Sequence, residues 1–286
     1  MNWSTSKRAI DLSAPIVMGI LNVTPDSFSD GGRFADLDAA VRRAEEMIGE
    51  GAAIIDIGGE STRPGSARVD EQVEIDRVVP VIEAISARFD TPISIDTSKS
   101  RVAEAAVAAG AEIINDIAGL RFDERIAEVA AKTKAGLVLM HSRGEFDAMH
   151  SQPPVNDIIE EVSNDFLRSI AAAEKSGVSA GSIVLDIGIG FGKTVEQNLE
   201  LLAKLDTIAN AFPGNALLVG VSRKSFIGKI LDGAAPDERL SGSLAAAVVA
   251  VMNGARIVRA HDVKATVDAI RIASAVMAQK KRGGVR

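Results

Sequence analysis

The side chains that could do chemistry gather at one kind of place. Asn22, Asp56, Asp96, Asn115, Asp186, Lys224, Arg259 and His261 each end a short run of mostly Ile, Val, Leu, Ala and Gly, or lie in or just past one. Lysine, arginine and histidine so placed could clamp an anion, and carboxylates buried beside them are costly unless paired. Alternation along an extended chain sorts these residues by face. In residues 92–96 (PISID), Ile93 and Ile95 take one face, Ser94 and Asp96 the other. In residues 257–261 (IVRAH), Val258 and Ala260 oppose Arg259 and His261, and the same parity puts Gly220, Ser222 and Lys224 together. If the polar faces converge, carboxylates of the third and sixth runs meet cations of the seventh and eighth.

Each of these has a plainer alternative. An interior Asp can be a satisfied structural carboxylate, Arg259 and His261 can be ordinary strand-end polar residues, and Asp56 and Glu60 can tie loops. Three segments add to the case for a site. Residues 22–32 (NVTPDSFSDGG) are overfurnished for a connector and carry Phe28 in a chain with nine Phe, one Trp and no Tyr. Residues 58–66 (GGESTRPGS) offer Thr62, Arg63 and Pro64, and residues 188–194 (GIGFGKT) bring Phe191 and Lys193 toward the same end. Alone, such glycine-rich clusters mean only turns. His150 lies away from every run and reads as solvent-exposed.

What must position these residues is a repeated unit. Eight apolar, β-rich runs (16–22, 54–60, 92–97, 112–117, 136–141, 183–188, 217–222 and 256–261) alternate with segments of helical period near 36–50, 70–88, 99–109, 123–134, 155–177, 194–211, 225–254 and 262–281. The seventh helical segment should break near Gly233 to Pro236. Eight βα units in 286 residues predict an α/β chain, a single-domain (β/α)8 TIM barrel over 1–286, whose active-site loops follow the strand ends. An open doubly wound sheet is the alternative. It uses fewer strands and often a phosphate-binding glycine fingerprint after the first, which is missing here.

Composition narrows the classes. The net charge of −7 argues against a nucleic-acid or anionic-membrane surface, so any anion must meet a local cationic site. With no cysteine there is no disulfide, thiolate nucleophile or Cys-based zinc site, and no Ser-His-Asp arrangement stands out. The first residues lack an apolar signal-peptide core, and the longest apolar run, 244–252, is far short of the roughly 20 residues of a membrane span. The expectation is a soluble, cytoplasmic protein.

Taken together, eight segments resemble the dihydropteroate synthases, the folate-pathway transferases that sulfonamides inhibit. They are 18–32 (MGILNVTPDSFSDGG), 56–65 (DIGGESTRPG), 94–97 (SIDT), 114–116 (IND), 140–141 (MH), 186–194 (DIGIGFGKT), 222–228 (SRKSFIG) and 259–262 (RAHD), in family order across nearly the whole chain. The resemblance implies condensation of (7,8-dihydropterin-6-yl)methyl diphosphate with 4-aminobenzoate, with Mg2+, through a pterin-methyl cation. It further implies that Asp96, Asn115 and Asp186 bind the pterin, with Lys224 at its carbonyl and Met140 beside the ring. Asn22 would help hold the metal diphosphate together with Thr62, Arg259 and His261. Phe28, Pro64, Phe191 and Ser225 would serve the arylamine side, Arg63 would bind substrate, and a homodimer is implied. The sequence departs from the family pattern at Ile187, where Pro is usual, at Ser142 and Arg143, where Met-Gln is usual, and at Ala260, where Val is usual. A pterin-binding methyltransferase barrel and a silent homologue are the competing readings. The first has no use for a diphosphate clamp, and retention of Asn22, Thr62, Lys224, Arg259 and His261 speaks against the second.

Overall fold

The computed structural model describes residues 1–24, 32–61, 66, 68–148 and 152–283. Among them, eight parallel strands close into a barrel in the order β10-β3-β4-β5-β6-β7-β8-β9. A hairpin, β1 (Asn2–Ser4) and β2 (Ala9–Asp11), precedes the barrel strand β3 (Ile16–Asn22). The remaining barrel strands are β4 (Ile54–Gly58), β5 (Ile93–Asp96), β6 (Ile113–Asp116), β7 (Gly136–Met140), β8 (Ile183–Asp186), β9 (Ala216–Val219) and β10 (Ile257–Ala260). The helices between and after them are α1 (Gly32–Gly49), α2 (Glu71–Arg88), α3 (Ser100–Ala109), α4 (Arg125–Thr133), α5 (Ile158–Lys175), α6 (Val195–Ala203), α7 (Leu205–Ala211), α8 (Ser225–Ile230), α9 (Leu240–Met252) and α10 (Val263–Gly283). The (β/α)8 barrel read from the sequence is therefore the fold.

Two apolar layers follow from the period-2 alternation. Ile55, Ile57, Ile93, Ile95, Val258 and Ala260 point outward and pack with the helices, while Met18, Ile54, Ile113, Val138, Val184, Leu218 and Ile257 fill the barrel's lower interior. Above that plug the inward positions turn polar.

The hairpin is the element the sequence did not announce. Its Trp3 closes the barrel floor at 1% exposure, donates Nε1–H to the Ser182 carbonyl at 2.8 Å, and lies where any side chain at Gly136 would strike it, about 3.1 Å away. The expected break in the seventh helical segment is present, with Gly233 at φ +91° and Pro236 opening a short 3-10 turn before α9. A second break, at Lys204, splits the expected helix 194–211 into α6 and α7. There the Asn253 side chain takes the Leu202 carbonyl at 2.8 Å, a bond that competes with helix continuation.

Candidate active site

The polar upper barrel opens into a pocket lined by Asp96, Asn115, Met140, Asp186, Phe191, Lys224 and Arg259 together with Ile117, Gly188, Ile189 and Gly220. Seven residues named from the sequence thus come together from five strands and two strand-end loops. Strand register does this: Asp96 stands level with Gly58 and Asn115, and Asp186 level with Met140.

Arg259 organises one wall. Its Nε donates to Asp56 Oδ2 at 2.6 Å and its Nη2 to Asp96 Oδ2 at 2.5 Å, and Asp56 Oδ2 also accepts Asn115 Nδ2 at 3.1 Å. Asp56, which the sequence left between loop tie and site residue, is a fully buried partner of the site cation. Burial pushes the Asp96 carboxyl up to about 7; Arg259 and Lys224 pull it down, while the nearby Asp56 and Glu74 push it further up. Asp186 is likewise raised, first by burial, against the Gly188 N–H it accepts at 2.8 Å and the neighbouring Lys224. Burial brings Lys224 down to about 8, with Asp186 and Asp96 opposing and Arg259 adding to the fall. Its Nζ stands 4.1 Å from the Phe191 ring centroid, within cation–π reach.

The loops after β9 and β10 are latched to each other. Arg223, at φ +58°, turns outward and holds Asp262 through Nε at 3.0 Å and Nη2 at 2.5 Å, which leaves Lys224 aimed at the pocket. Ser222 Oγ accepts the His261 backbone N–H at 3.2 Å and lies 3.0 Å from His261 Nδ1. A hydroxyl accepting one bond is free to donate to Nδ1, which leaves the imidazole proton on Nε2. Burial and the nearby Arg259 and Arg223 lower His261 to about 3. The sequence counted His261 among the cations; in this setting it is a neutral N–H donor, and the positive charge belongs to Arg259 and Lys224.

Lys193 is a second correction. It does not enter the pocket lining but turns beneath the loop, donating to the carbonyls of Gly188 (2.8 Å), Phe191 (3.1 Å) and His141 (3.3 Å), and burial lowers it to about 7. The same loop requires glycine at 188, since at φ +64° a Cβ would lie 1.8 Å from the His141 carbonyl oxygen. Glu60 proves to be a loop tie, paired with Lys99 at 2.8 Å. The departures from the family pattern leave the lining intact. Ile187 and Ala260 face the outer core, and Arg143 bridges to Glu161 at 2.7 Å and to the Gly192 carbonyl at 2.9 Å.

Asn22 ends β3 half-buried, level with Gly58, where a Cβ would lie 3.7 Å from Asn22 Oδ1 and 3.5 Å from the Asp96 Cβ, so Asn22 and Asp96 flank the same glycine. Ser225 is exposed at the start of α8 and does not line the pocket. Phe28, Thr62, Arg63, Pro64 and His150 lie outside the described residues. The sequence named Met140 and Phe191 but missed the rest of the apolar side of the mouth, where Ile117, Phe146 and Phe122 cluster with them and Arg68 stands 5.7 and 5.6 Å from the Phe122 and Phe146 rings. These loop residues carry no periodic signal. Among the described residues no three His, Cys, Asp or Glu side chains form a metal cluster.

Comparison with known proteins places this geometry. The family described as pterin binding enzyme matches residues 18–261. The chain is 49% identical to the dihydropteroate synthase of Escherichia coli K12, covering 96% of this chain and 95% of that one, and 47% identical to that of Bacillus subtilis, covering 94% and 90%. Its fold superposes on the Yersinia pestis dihydropteroate synthase in a sulfonamide complex with a TM-score of 0.90 at 46% identity, covering 97% of this chain and all of that one. The Xanthomonas albilineans dihydropteroate synthase with 4-aminobenzoic acid gives 0.90 at 41% identity, covering 97% and 99%.

Proposed function

The chain belongs to the pterin binding enzymes and catalyses the dihydropteroate synthase reaction of folate biosynthesis, and we propose how its barrel mouth does so. The observation that carries the proposal is the meeting, in one buried pocket, of Asp96, Asn115 and Asp186 with Lys224 and Arg259. The two carboxylates and the carboxamide accept and donate along the edge of a flat heterocycle. Lys224 donates to its carbonyl, and Met140 packs on its face. Phe191, under Lys224, forms one side of the place where 4-aminobenzoate enters.

The diphosphate sits toward β3 and β10, near Asn22, Arg259 and His261. Arg259 keeps donors beyond the two it gives to Asp56 and Asp96, since a guanidinium has five. His261 offers a neutral Nε2–H. The residues present fit Mg2+: Asn22 offers a hard amide oxygen, and the lack of a carboxylate cage among the described residues suits an ion held mainly by waters and substrate phosphates. When bound, Mg2+ would supply charge neutralisation to the departing diphosphate. The bond from the pterin methylene to oxygen breaks with its electron pair leaving on diphosphate. The methylene cation is then stabilised by Asp96 and Asp186 in a water-poor pocket where fixed charges act strongly. The arylamine nitrogen attacks the methylene and gives its proton to the departed diphosphate, so no side chain need become covalently bound.

We also propose a cytoplasmic homodimer. No helix among the described residues is long and apolar enough to cross a membrane. Apolar side chains exposed along α9 (Val249 and Met252) and α10 (Ile272 and Val276) are surface that a second copy would cover. The test of the activity is the purified protein supplied with the pterin diphosphate, 4-aminobenzoate and Mg2+. Dihydropteroate and diphosphate should form together, and the absence of dihydropteroate at saturating substrates would sink the reading.

A further inference from the structure

Lys193 lies near the end of the loop that joins β8 to α6, a loop with Gly188, Gly190 and Gly192 all at positive φ and so with little rigidity of its own. Its front meets the pocket, where a Cβ at Gly190 would lie 3.2 Å from the Lys224 side chain. Behind it the half-buried Lys193 side chain sends Nζ to the carbonyls of Gly188 at 2.8 Å, Phe191 at 3.1 Å and His141 at 3.3 Å, which uses all three ammonium donors. Each acceptor belongs to the pocket wall or borders it. Gly188 gives its N–H to Asp186 Oδ1 at 2.8 Å. Phe191 carries the ring that stands 4.1 Å from Lys224 Nζ. His141 follows Met140 and gives its own N–H to the Asp186 carbonyl at 2.9 Å.

Stability alone is a poor explanation of this arrangement. Water would serve an ammonium better than three neutral carbonyls, and burial disfavours the charge, lowering Lys193 to about 7 while Asp186 opposes the fall. The start of α6 does not need the lysine either. Thr194 and Gln197 form its capping box, and the Asn198 side chain accepts the Gly190 N–H at 2.7 Å. What the lysine adds is a tie between the loop and the end of β7, the neighbouring strand whose Met140 stands level with Asp186.

We propose that Lys193 is a positioning residue for the condensation: by joining the carbonyls of His141, Gly188 and Phe191 it holds the Asp186 carboxylate at the pterin edge and the Phe191 ring beside the arylamine. This rests on the reading above that Asp186 binds the pterin and Phe191 borders the 4-aminobenzoate place. One side chain outside the pocket thus sets a wall for each substrate, and small shifts of such walls are felt in rate and binding. Its charge acts in the same direction as its bonds, since a cation behind Asp186 favours the ionised carboxylate.

The experiment is a double-mutant cycle on the Kd of 7,8-dihydropterin, with the wild type, Lys193→Met, Asp186→Asn and the two together, beside KM for 4-aminobenzoate at saturating pterin diphosphate. Lys193→Met, which keeps the stem and removes the ammonium, should raise the dihydropterin Kd about tenfold and KM for 4-aminobenzoate about fivefold. Asp186→Asn should raise the dihydropterin Kd about thirtyfold. Added to Asp186→Asn, Lys193→Met should raise it less than about twofold further, because the carboxylate it positions is gone. A lysine that merely stabilises the loop would give the same tenfold loss in both backgrounds, and that result overturns the proposal. An unchanged Kd in folded Lys193→Met overturns it too, and an unchanged KM overturns the half that concerns Phe191. Should Lys193→Met not fold, Lys193→Gln, which keeps two donors and loses the charge, supplies the same cycle with smaller changes in the same direction. If Asp186→Asn itself leaves the Kd unmoved, the assignment of Asp186 to the pterin has failed and the proposal with it; if Asp186→Asn weakens binding and Lys193→Met does not, only the role of Lys193 has failed.

Discussion

Asp56→Asn should move the pH dependence of pterin binding without touching a residue that lines the pocket. Nε and Nη2 lie on one edge of the Arg259 guanidinium, and their acceptors are Asp56 Oδ2 at 2.6 Å and Asp96 Oδ2 at 2.5 Å. Two carboxylate oxygens sharing one such edge sit about 4 Å apart or closer, a separation at which an effective dielectric of about 20 gives about 4 kcal/mol of repulsion. At about 1.4 kcal/mol per pKa unit, that repulsion accounts for up to about three units of the rise in Asp96. Burial supplies the leading push and Arg259 the main restraint, with the balance at about 7. Removing the Asp56 charge leaves the guanidinium to Asp96 alone, and the Asp96 carboxyl should fall by about two to three units.

The assay is calorimetric titration with 7,8-dihydropterin, which lacks the diphosphate, from pH 5.5 to 8.5. Binding through an ionised Asp96 is full above about 7 and weakens about tenfold per pH unit below it, so the wild type should lose about thirtyfold at pH 5.5. Asp56→Asn should lose less than about twofold there, its inflection having moved below the range. Asp96→Asn gives the profile of the ligand alone, to be subtracted. The same shift carries a stability sign. Asp96 keeps its proton when folded at pH values where the unfolded chain has lost it, so its contribution weakens the fold as pH rises from about 4 to about 7, and Asp56→Asn should flatten that slope. A wild-type profile flat to pH 5.5, or a variant that keeps its inflection near 7, would refute the reasoning, because the two carboxylates would then not be competing for Arg259.

Three other outcomes follow. Lys224, lowered to about 8, is charged below that value, so kcat/KM should fall as pH rises past 8; Lys224→Arg should extend the plateau upward, and Lys224→Met should cut kcat/KM about a hundredfold and erase the alkaline limb. Trp3→Ala should cost about 3–5 kcal/mol in denaturant unfolding, from the cavity left in the barrel floor, with both KM values of the folded fraction unchanged. Chelation of Mg2+ should stop dihydropteroate formation and re-addition restore it, while calorimetry shows 7,8-dihydropterin bound equally in either case.

The barrel was legible because its signal is periodic and local. Ile93 and Ile95, or Val258 and Ala260, declare an outward face within five residues, and that alone sends Asp96 and Arg259 inward. The hairpin was not legible for the opposite reason. Two strands of three residues each, with one buried position apiece, fall below the length at which alternation can be told from chance. Trp3 earns its place only from Gly136 and Ser182, more than a hundred residues away, and no window of sequence contains both. The break at Lys204 belongs to the same class, since the side chain that takes the Leu202 carbonyl there, Asn253, comes from the next βα unit.

For the site, residue identity was readable and charge state was not. Asp96, Asp186, Lys224, Arg259 and His261 could be named from types at strand ends, yet the naming treats every Asp as an anion and every basic residue as a cation. The pocket breaks that equivalence: one guanidinium is shared by two carboxylates, an imidazole is held neutral between Arg259 and Arg223, and an ammonium is brought near its titration point under Phe191. Each of those states depends on burial and on distances between strands far apart in sequence. This matters for the chemistry, because the proposed cation at the pterin methylene needs ionised carboxylates, and Asp96, at about 7, is half ionised at neutral pH only because Arg259 stays beside it. Arg259 therefore has two tasks that a single substitution cannot separate. Arg259→Ala should weaken both diphosphate retention and pterin binding, and only Asp56→Asn, which changes the sharing and leaves the guanidinium in place, isolates the second.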